Sequence, residues 1–161
     1  MRKLLFPLTM VIAMFFVACD MAPTTDEAIA FNDEIVADQS DLIDLNQEFI
    51  DVYSGDDLDD IEDAMEELET FLEDKTEEYE AMEAFDDEDI FRKAFLDLLG
   101  EFTEISEDYE KLLEMWADDD VTLDEIADFE EEINDATTEA NENFLDKQKD
   151  FSEQYEFDLA D

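Results

Sequence analysis

The sequence predicts an all-α protein, an up-down-up-down antiparallel four-helix bundle over residues 27–161. Three observations predict it. Apolar residues recur at steps of three and four through four long segments, the spacing of one buried helical face. Only 2 Gly and 2 Pro occur in 161 residues, so few positions interrupt a helix. Tyr53-Ser54-Gly55, Asp86-Asp87 with Asp89, and Asp118-Asp119-Asp120 break the pattern briefly, and short connectors make consecutive helices antiparallel neighbours. No strand-like alternation competes with this reading.

The first helix opens on Thr24 and Glu27, a capping-box pair that satisfies two otherwise orphaned N–H groups. Its stripe is Ala28, Phe31, Ile35, Leu42, Leu45, Phe49 and Val52, widened by Ile29, Val36, Ile43 and Ile50. Gly55 is placed to cap its end. The second helix is expected from about Asp57 to Phe85, with Leu58, Ile61, Met65, Leu68, Leu72, Tyr79 and Met82 inward. Asp86, Asp87 and Asp89 offer caps for the third helix. That helix carries the cleanest heptads: Phe91, Phe95, Leu98, Phe102, Ile105, Tyr109, Leu112 and Trp116. Trp116 is expected to plug the bundle end, with an exposed partner anchor as the other reading. Gly100 either admits a close backbone approach or is a tolerated weak spot. Thr122 and Glu125 form a second capping box before a fourth helix lined by Ile126, Phe129, Ile133, Ala136, Ala140, Phe144, Gln148, Phe151 and Tyr155. Phe157 and Leu159 read as a packed tail.

Charge decides which functions remain. The chain has 54 Asp and Glu against 8 Lys and Arg, a formal net charge of −46. Nucleic-acid binding is excluded, because phosphate recognition needs clustered cations. With no His the commonest metal ligand and general base are missing. Without residues 1–19, a folded chain of about 16–17 kDa exposes roughly 7,600 Å², so its excess negatives lie about 13 Å apart. The screening length is about 30 Å in 0.01 M salt and about 3 Å at 1 M, so repulsion is strong in dilute salt and nearly absent at molar salt. Either the surface is of halophilic type, or it gathers cations or a partner. No calcium loop with Gly at its sixth position, di-iron motif, nucleophile-base pair or nucleotide-binding Gly loop is present. No enzyme activity, cofactor or metal site is expected.

Two charges stand in the apolar stripes, Asp38 in the first helix and Lys75 in the second. A hairpin turning near residues 55–57 brings them level. They are expected to form a partly buried ion pair that fixes helix register. In the other reading Lys75 extends to solvent and Asp38 sits at the bundle edge.

Residues 1–19 read as an export signal. Arg2 and Lys3 precede an apolar run from Leu4 to Ala18, shorter than the roughly 20 residues that span a bilayer and suited to a secretory signal. Phe16-Val17-Ala18-Cys19 resembles a bacterial lipobox, with Phe16 where Leu is usual. The resemblance implies cleavage before Cys19 and lipid (diacylglycerol and an acyl chain such as palmitate) on that residue, followed by a tether over residues 20–26. Asp20 resembles an inner-membrane retention signal of enterobacterial lipoproteins, whereas other bacteria read acids here as a surface-export cue. The outer membrane or cell surface is the expected location.

Phe31-Asn32-Asp33-Glu34-Ile35-Val36 with Gln39, together with Phe144, Gln148, Phe151, Tyr155 and Phe157, resembles a family of small helical bacterial surface lipoproteins of the spirochaete and Bacteroidetes type. The resemblance spans about residues 28–159. It implies a lipid-anchored helical domain, some members being regarded as adhesins or host-protein binders, and it implies no catalytic residue. The expected function is that of an acidic envelope lipoprotein acting as a structural or interaction module. The alternatives are a surface binding protein for a protein partner and a weak divalent-cation binder.

Overall fold

A computed structural model describes residues 22–53 and 58–159. The described chain is all-helical: α1 (Thr25–Tyr53), α2 (Leu58–Ala81), α3 (Ile90–Ala117) and α4 (Leu123–Tyr155), without a β-strand among the described residues. Helices of 24 to 33 residues are about 36–50 Å long. Each helix packs on the next, α3 and α4 sharing the most extensive contact, and α1 also touches α3 and α4. They form one helical bundle around a continuous apolar core.

The predicted caps start the helices. Thr24 N–H and its hydroxyl donate to Glu27 Oε2 at 2.8 Å, and Glu27 N–H donates back to Thr24 Oγ1. The helix therefore begins at Thr25, inside the stretch expected to be tether. Thr122 and Glu125 make the same reciprocal pair for α4. Gly55 and its neighbours at 54–57 lie outside the described residues, as does Cys19.

The core is graded along the bundle. At one end Phe31, Phe85, Phe91, Phe144, Phe151 and Tyr155 form a ring cluster. Phe31 stacks on Phe85 at 4.5 Å and Phe91 on Phe151 at 5.0 Å between centroids. Its middle is aliphatic, with Ile35, Leu42, Leu68, Leu98 and Leu99 nearly or fully buried. At the other end Phe49 meets Tyr109 at 4.4 Å and Tyr53 at 5.9 Å. The aromatic cluster explains why α2 stops at Ala81 rather than at Phe85. Leaving the helix lets Phe85 turn inward onto Phe31, Phe151 and Tyr155. Phe157 packs on Phe151 at 6.1 Å after Glu156 ends α4 in the left-handed conformation (φ 57°), which turns the tail back over the bundle.

Several stripe positions differ from expectation. Ile29, Ile43 and Ile50 are exposed, as are Leu58, Ala136 and Trp116. The α1 stripe turns toward Asn32, Gln39 and Asn46 instead, all three buried. The reason is the neighbours: α4 presents amides to Asn32 and Gln39, and α3 presents the Tyr109 hydroxyl to Asn46. Trp116 is 51% exposed, so it is no core plug. It lies at the end of α3, where its indole N–H donates to the Tyr53 hydroxyl, and a polar ring edge facing a phenol stays at the surface. Gly100 shows no close approach, since a Cβ built there meets nothing within 4 Å. The weak-spot reading applies.

Candidate functional site

Four features of the bundle carry polar chemistry. The first is the pair expected from sequence. Lys75 Nζ lies 2.9 Å from Asp38 Oδ1, with side chains 23% and 15% exposed. A third member joins them: the Tyr79 hydroxyl donates to Asp38 Oδ2 at 2.7 Å. Lys75 also donates to Glu78 at 3.0 Å. Burial works against the Lys75 ammonium, but its bonds to Asp38 and Glu78 outweigh it and raise its pKa. Burial, then the Asp38 carboxylate, drive the Tyr79 phenol well above its ordinary range. The phenol therefore stays a donor. Sequence reasoning missed Tyr79 as a partner because its stripe position marked it as core; its ring does pack on Phe95.

The second feature, also missed, lies between α2 and α3. Arg92 donates to both Asp89 carboxylate oxygens and, through Nη1, to the Tyr79 carbonyl at 2.6 Å. Asp89 is only 4% exposed and takes a left-handed backbone (φ 53°), which Asp tolerates better than most residues. It was expected as a helix cap, yet its side chain makes no cap bond to α3. It accepts instead from Phe85 N–H and Arg92. Asp86 takes the turn role, accepting from the backbone N–H groups of Glu88 and Asp89, from Gln154 and from the Tyr155 hydroxyl. Burial pushes the Asp86 carboxyl up. The Tyr155 phenol, the backbone N–H groups and Gln154 more than reverse this and hold it below the usual aspartate range. The hub ties the ends of α2 and α4 to the start of α3.

Third, an amide seam joins α1 to α4. Thr25 Oγ1 donates to the Tyr155 carbonyl at 3.0 Å, Gln148 Nε2 to Asn32 Oδ1 at 3.0 Å, and Gln39 Nε2 to Asn141 Oδ1 at 3.5 Å. These steps are seven residues apart on both helices, the repeat that keeps one face of a helix against its neighbour. At the next step Asn46 turns aside: its Oδ1 accepts from the Tyr109 hydroxyl of α3 at 3.1 Å. The signal was present in sequence as amides at heptad spacing, Asn32-Gln39-Asn46 and Asn134-Asn141-Gln148, but an apolar search passes over it.

Where Asn46 turns aside, a cavity of about 280 Å³ opens between α1, α3 and α4. Phe49, Tyr109, Leu112 and Ile133 floor it; Tyr53, Glu130 and Asn134 stand at its edge. The Tyr53 hydroxyl donates to Glu130 Oε1 at 3.2 Å. Burial raises the Tyr53 phenol to about 12, aided by the Glu130 charge and opposed by the Trp116 indole.

Around these features the surface is acidic. Each Lys and Arg among the described residues is held close to an acid or carbonyl of its own neighbourhood. Burial and neighbouring carboxylates raise Glu69 (beside Glu110 and Glu66) and Glu101 (beside Asp97, Glu139 and Glu104). Yet no three acidic or Cys side chains among the described residues converge on a point that could hold a metal ion. Apart from groups such as Asp38 and Asp89, the carboxylates are spread over solvent faces. No described helix is long and apolar enough to cross a membrane.

Comparison of the chain with family models, with curated proteins and with solved structures finds no match.

Proposed function

We propose that this chain is an exported, lipid-anchored envelope protein whose helical domain acts as a structural or interaction module without catalysis. Residues 1–19 are the signal, Cys19 is the lipidated residue, and the domain follows within a few residues of it. The observation that carries the reading is Phe16-Val17-Ala18-Cys19 at the end of an apolar run too short to span a bilayer. Lipid on Cys19 holds the domain to the outer membrane or cell surface, because two or three acyl chains anchor far more firmly than one. The likeness to spirochaete- and Bacteroidetes-type surface lipoproteins supports the same reading.

The four helices run alternately up and down as antiparallel neighbours. Supporting this, residue numbers rise on α1 as those of their partners fall on α4, from Asn32 with Gln148 to Gln39 with Asn141 and Tyr53 with Glu130. Along α1 and α3 they rise together, Phe31 with Phe91 and Phe49 with Tyr109. In this arrangement α1 starts at the phenylalanine-rich end, so Cys19 tethers that end to the membrane and the Tyr53–Trp116 end points away.

Replacing Cys19 by Ser and following detergent partitioning and fatty-acid labelling tests the anchor. The variant is expected to lose its lipid and leave the detergent phase; unchanged labelling and partitioning would overturn the proposal.

A further inference from the structure

The cavity between α1, α3 and α4 has a chemistry of its own. Its floor is apolar and two-ringed, Phe49 and Tyr109 with centroids 4.4 Å apart, and buried Leu112 and Ile133 complete it. Its edge offers acceptors: the Glu130 carboxylate, placed by the Tyr53 hydroxyl at 3.2 Å, and the side chain of Asn134. No Lys or Arg lines it, and the chain as a whole carries −46. An anionic ligand is therefore repelled on approach, whereas a cation gains the attraction of the solvent-exposed Glu130 carboxylate at the edge. Aromatic faces attract a cation through their ring quadrupole, and the acidic field concentrates cations near the surface. A volume of about 280 Å³ lies just under the usual range for ligand pockets, which limits the occupant to about ten heavy atoms.

We propose that this cavity binds a small organic ammonium ion: an apolar or aromatic body against Phe49, Tyr109 and Leu112, with its charged nitrogen at Glu130. The inference stands apart from lipid anchoring, since it rests only on residues of α1, α3 and α4. Among the described residues the last amide pair of the α1–α4 seam is Gln39 with Asn141. Asn46 bonds Tyr109 instead, which also holds that ring in the floor.

The single tryptophan of the chain makes the test direct. Trp116 donates to the Tyr53 hydroxyl at the cavity edge, so its fluorescence reports occupancy. The full chain in detergent is titrated with phenethylammonium, with 2-phenylethanol as its neutral counterpart and phenylacetate as its anionic one. Saturable binding of phenethylammonium is expected with a Kd near 1 mM or tighter, the scale set by about nine heavy atoms, and at least tenfold tighter than either counterpart. Glu130→Gln should weaken the ammonium about fivefold and leave the alcohol unchanged. Glu131→Gln, which removes an exposed carboxylate one residue away, should change neither by as much as twofold. Equal affinity for ammonium and alcohol would overturn the proposal. So would absence of saturation by about 20 mM, well above that expected range, or an equal loss in the Glu130 and Glu131 variants, which would mark diffuse attraction to a polyanion. Circular dichroism of the variants confirms that they are folded, so no outcome is traced to unfolding.

Discussion

Removing the charge of Lys75 should show what the buried-edge pair contributes. At 2.9 Å two unit charges attract by about 1.4 kcal/mol in a water-like medium and by about 6 kcal/mol at an effective dielectric near 20. Desolvating both groups cancels most of the larger figure. Exposed pairs retain about 0–1 kcal/mol, while losing one member of a buried pair costs about 3–5 kcal/mol. Side chains 23% and 15% exposed lie between these cases. Lys75→Met should therefore destabilise by about 2 kcal/mol, because Asp38 is left with only the Tyr79 hydroxyl beside further acids. Asp38→Asn, which keeps an acceptor for Tyr79, should cost about 1 kcal/mol, and the double variant about 1.5 kcal/mol, giving a coupling near 1.5 kcal/mol. Urea unfolding followed by circular dichroism measures all four proteins. Raising NaCl from about 0.15 to 1 M should reduce the coupling by less than half, since burial shields the pair from counterions. A coupling within about 0.3 kcal/mol of zero, the usual scatter for independent sites, would refute the claim that the pair fixes helix register.

Three other outcomes follow from the same structure. Arg92→Met should destabilise by about 3 kcal/mol in urea unfolding, because it strands the buried Asp89 carboxylate without its cation. Gly100→Ala should stabilise by about 0.5–1 kcal/mol, since the new methyl group meets nothing within 4 Å; a lower midpoint would show a constraint there. The pH dependence should have two limbs. Glu69 and Glu101 hold their protons more tightly when folded, so their repulsive penalty at neutral pH fades as pH falls toward their ordinary 4.5 and thermal stability rises. Asp86 holds its proton less tightly when folded, so its contribution is complete above its ordinary 3.8 and is lost as pH drops further. A Tm that falls steadily from pH 7 downward would contradict the first limb, and Asp86→Asn should flatten the second.

The four helices and both capping boxes were legible because their causes are local. Thr24 with Glu27 and Thr122 with Glu125 act within one turn, and a stripe such as Phe91 to Leu112 needs only one helix to be seen. Asp38 and Lys75 could be matched because only four residues separate α1 from α2, which leaves little freedom in pairing two helices. The amide seam needed both α1 and α4 in view at once. Ile29, Ile43 and Ile50 were assigned to the core because hydrophobicity alone does not say which neighbour a face meets. Asp89 offered a cap by residue type and became the anion of a buried pair, a choice made by the position of Arg92 after the chain had turned.

Periodicity and charge thus fix by themselves that the chain is helical and strongly anionic. These properties are written residue by residue and need no partner in space. Only the packed bundle decided that Tyr79 completes the Asp38–Lys75 pair, that Asp86 and Asp89 divide turn and ion-pair roles, and that a cavity opens where Asn46 bonds α3 instead of α4. Each of those depends on which side chains meet across helices far apart in sequence. Such meetings are settled by competition for a few buried hydrogen bonds, because an unpaired polar group is costly in the core.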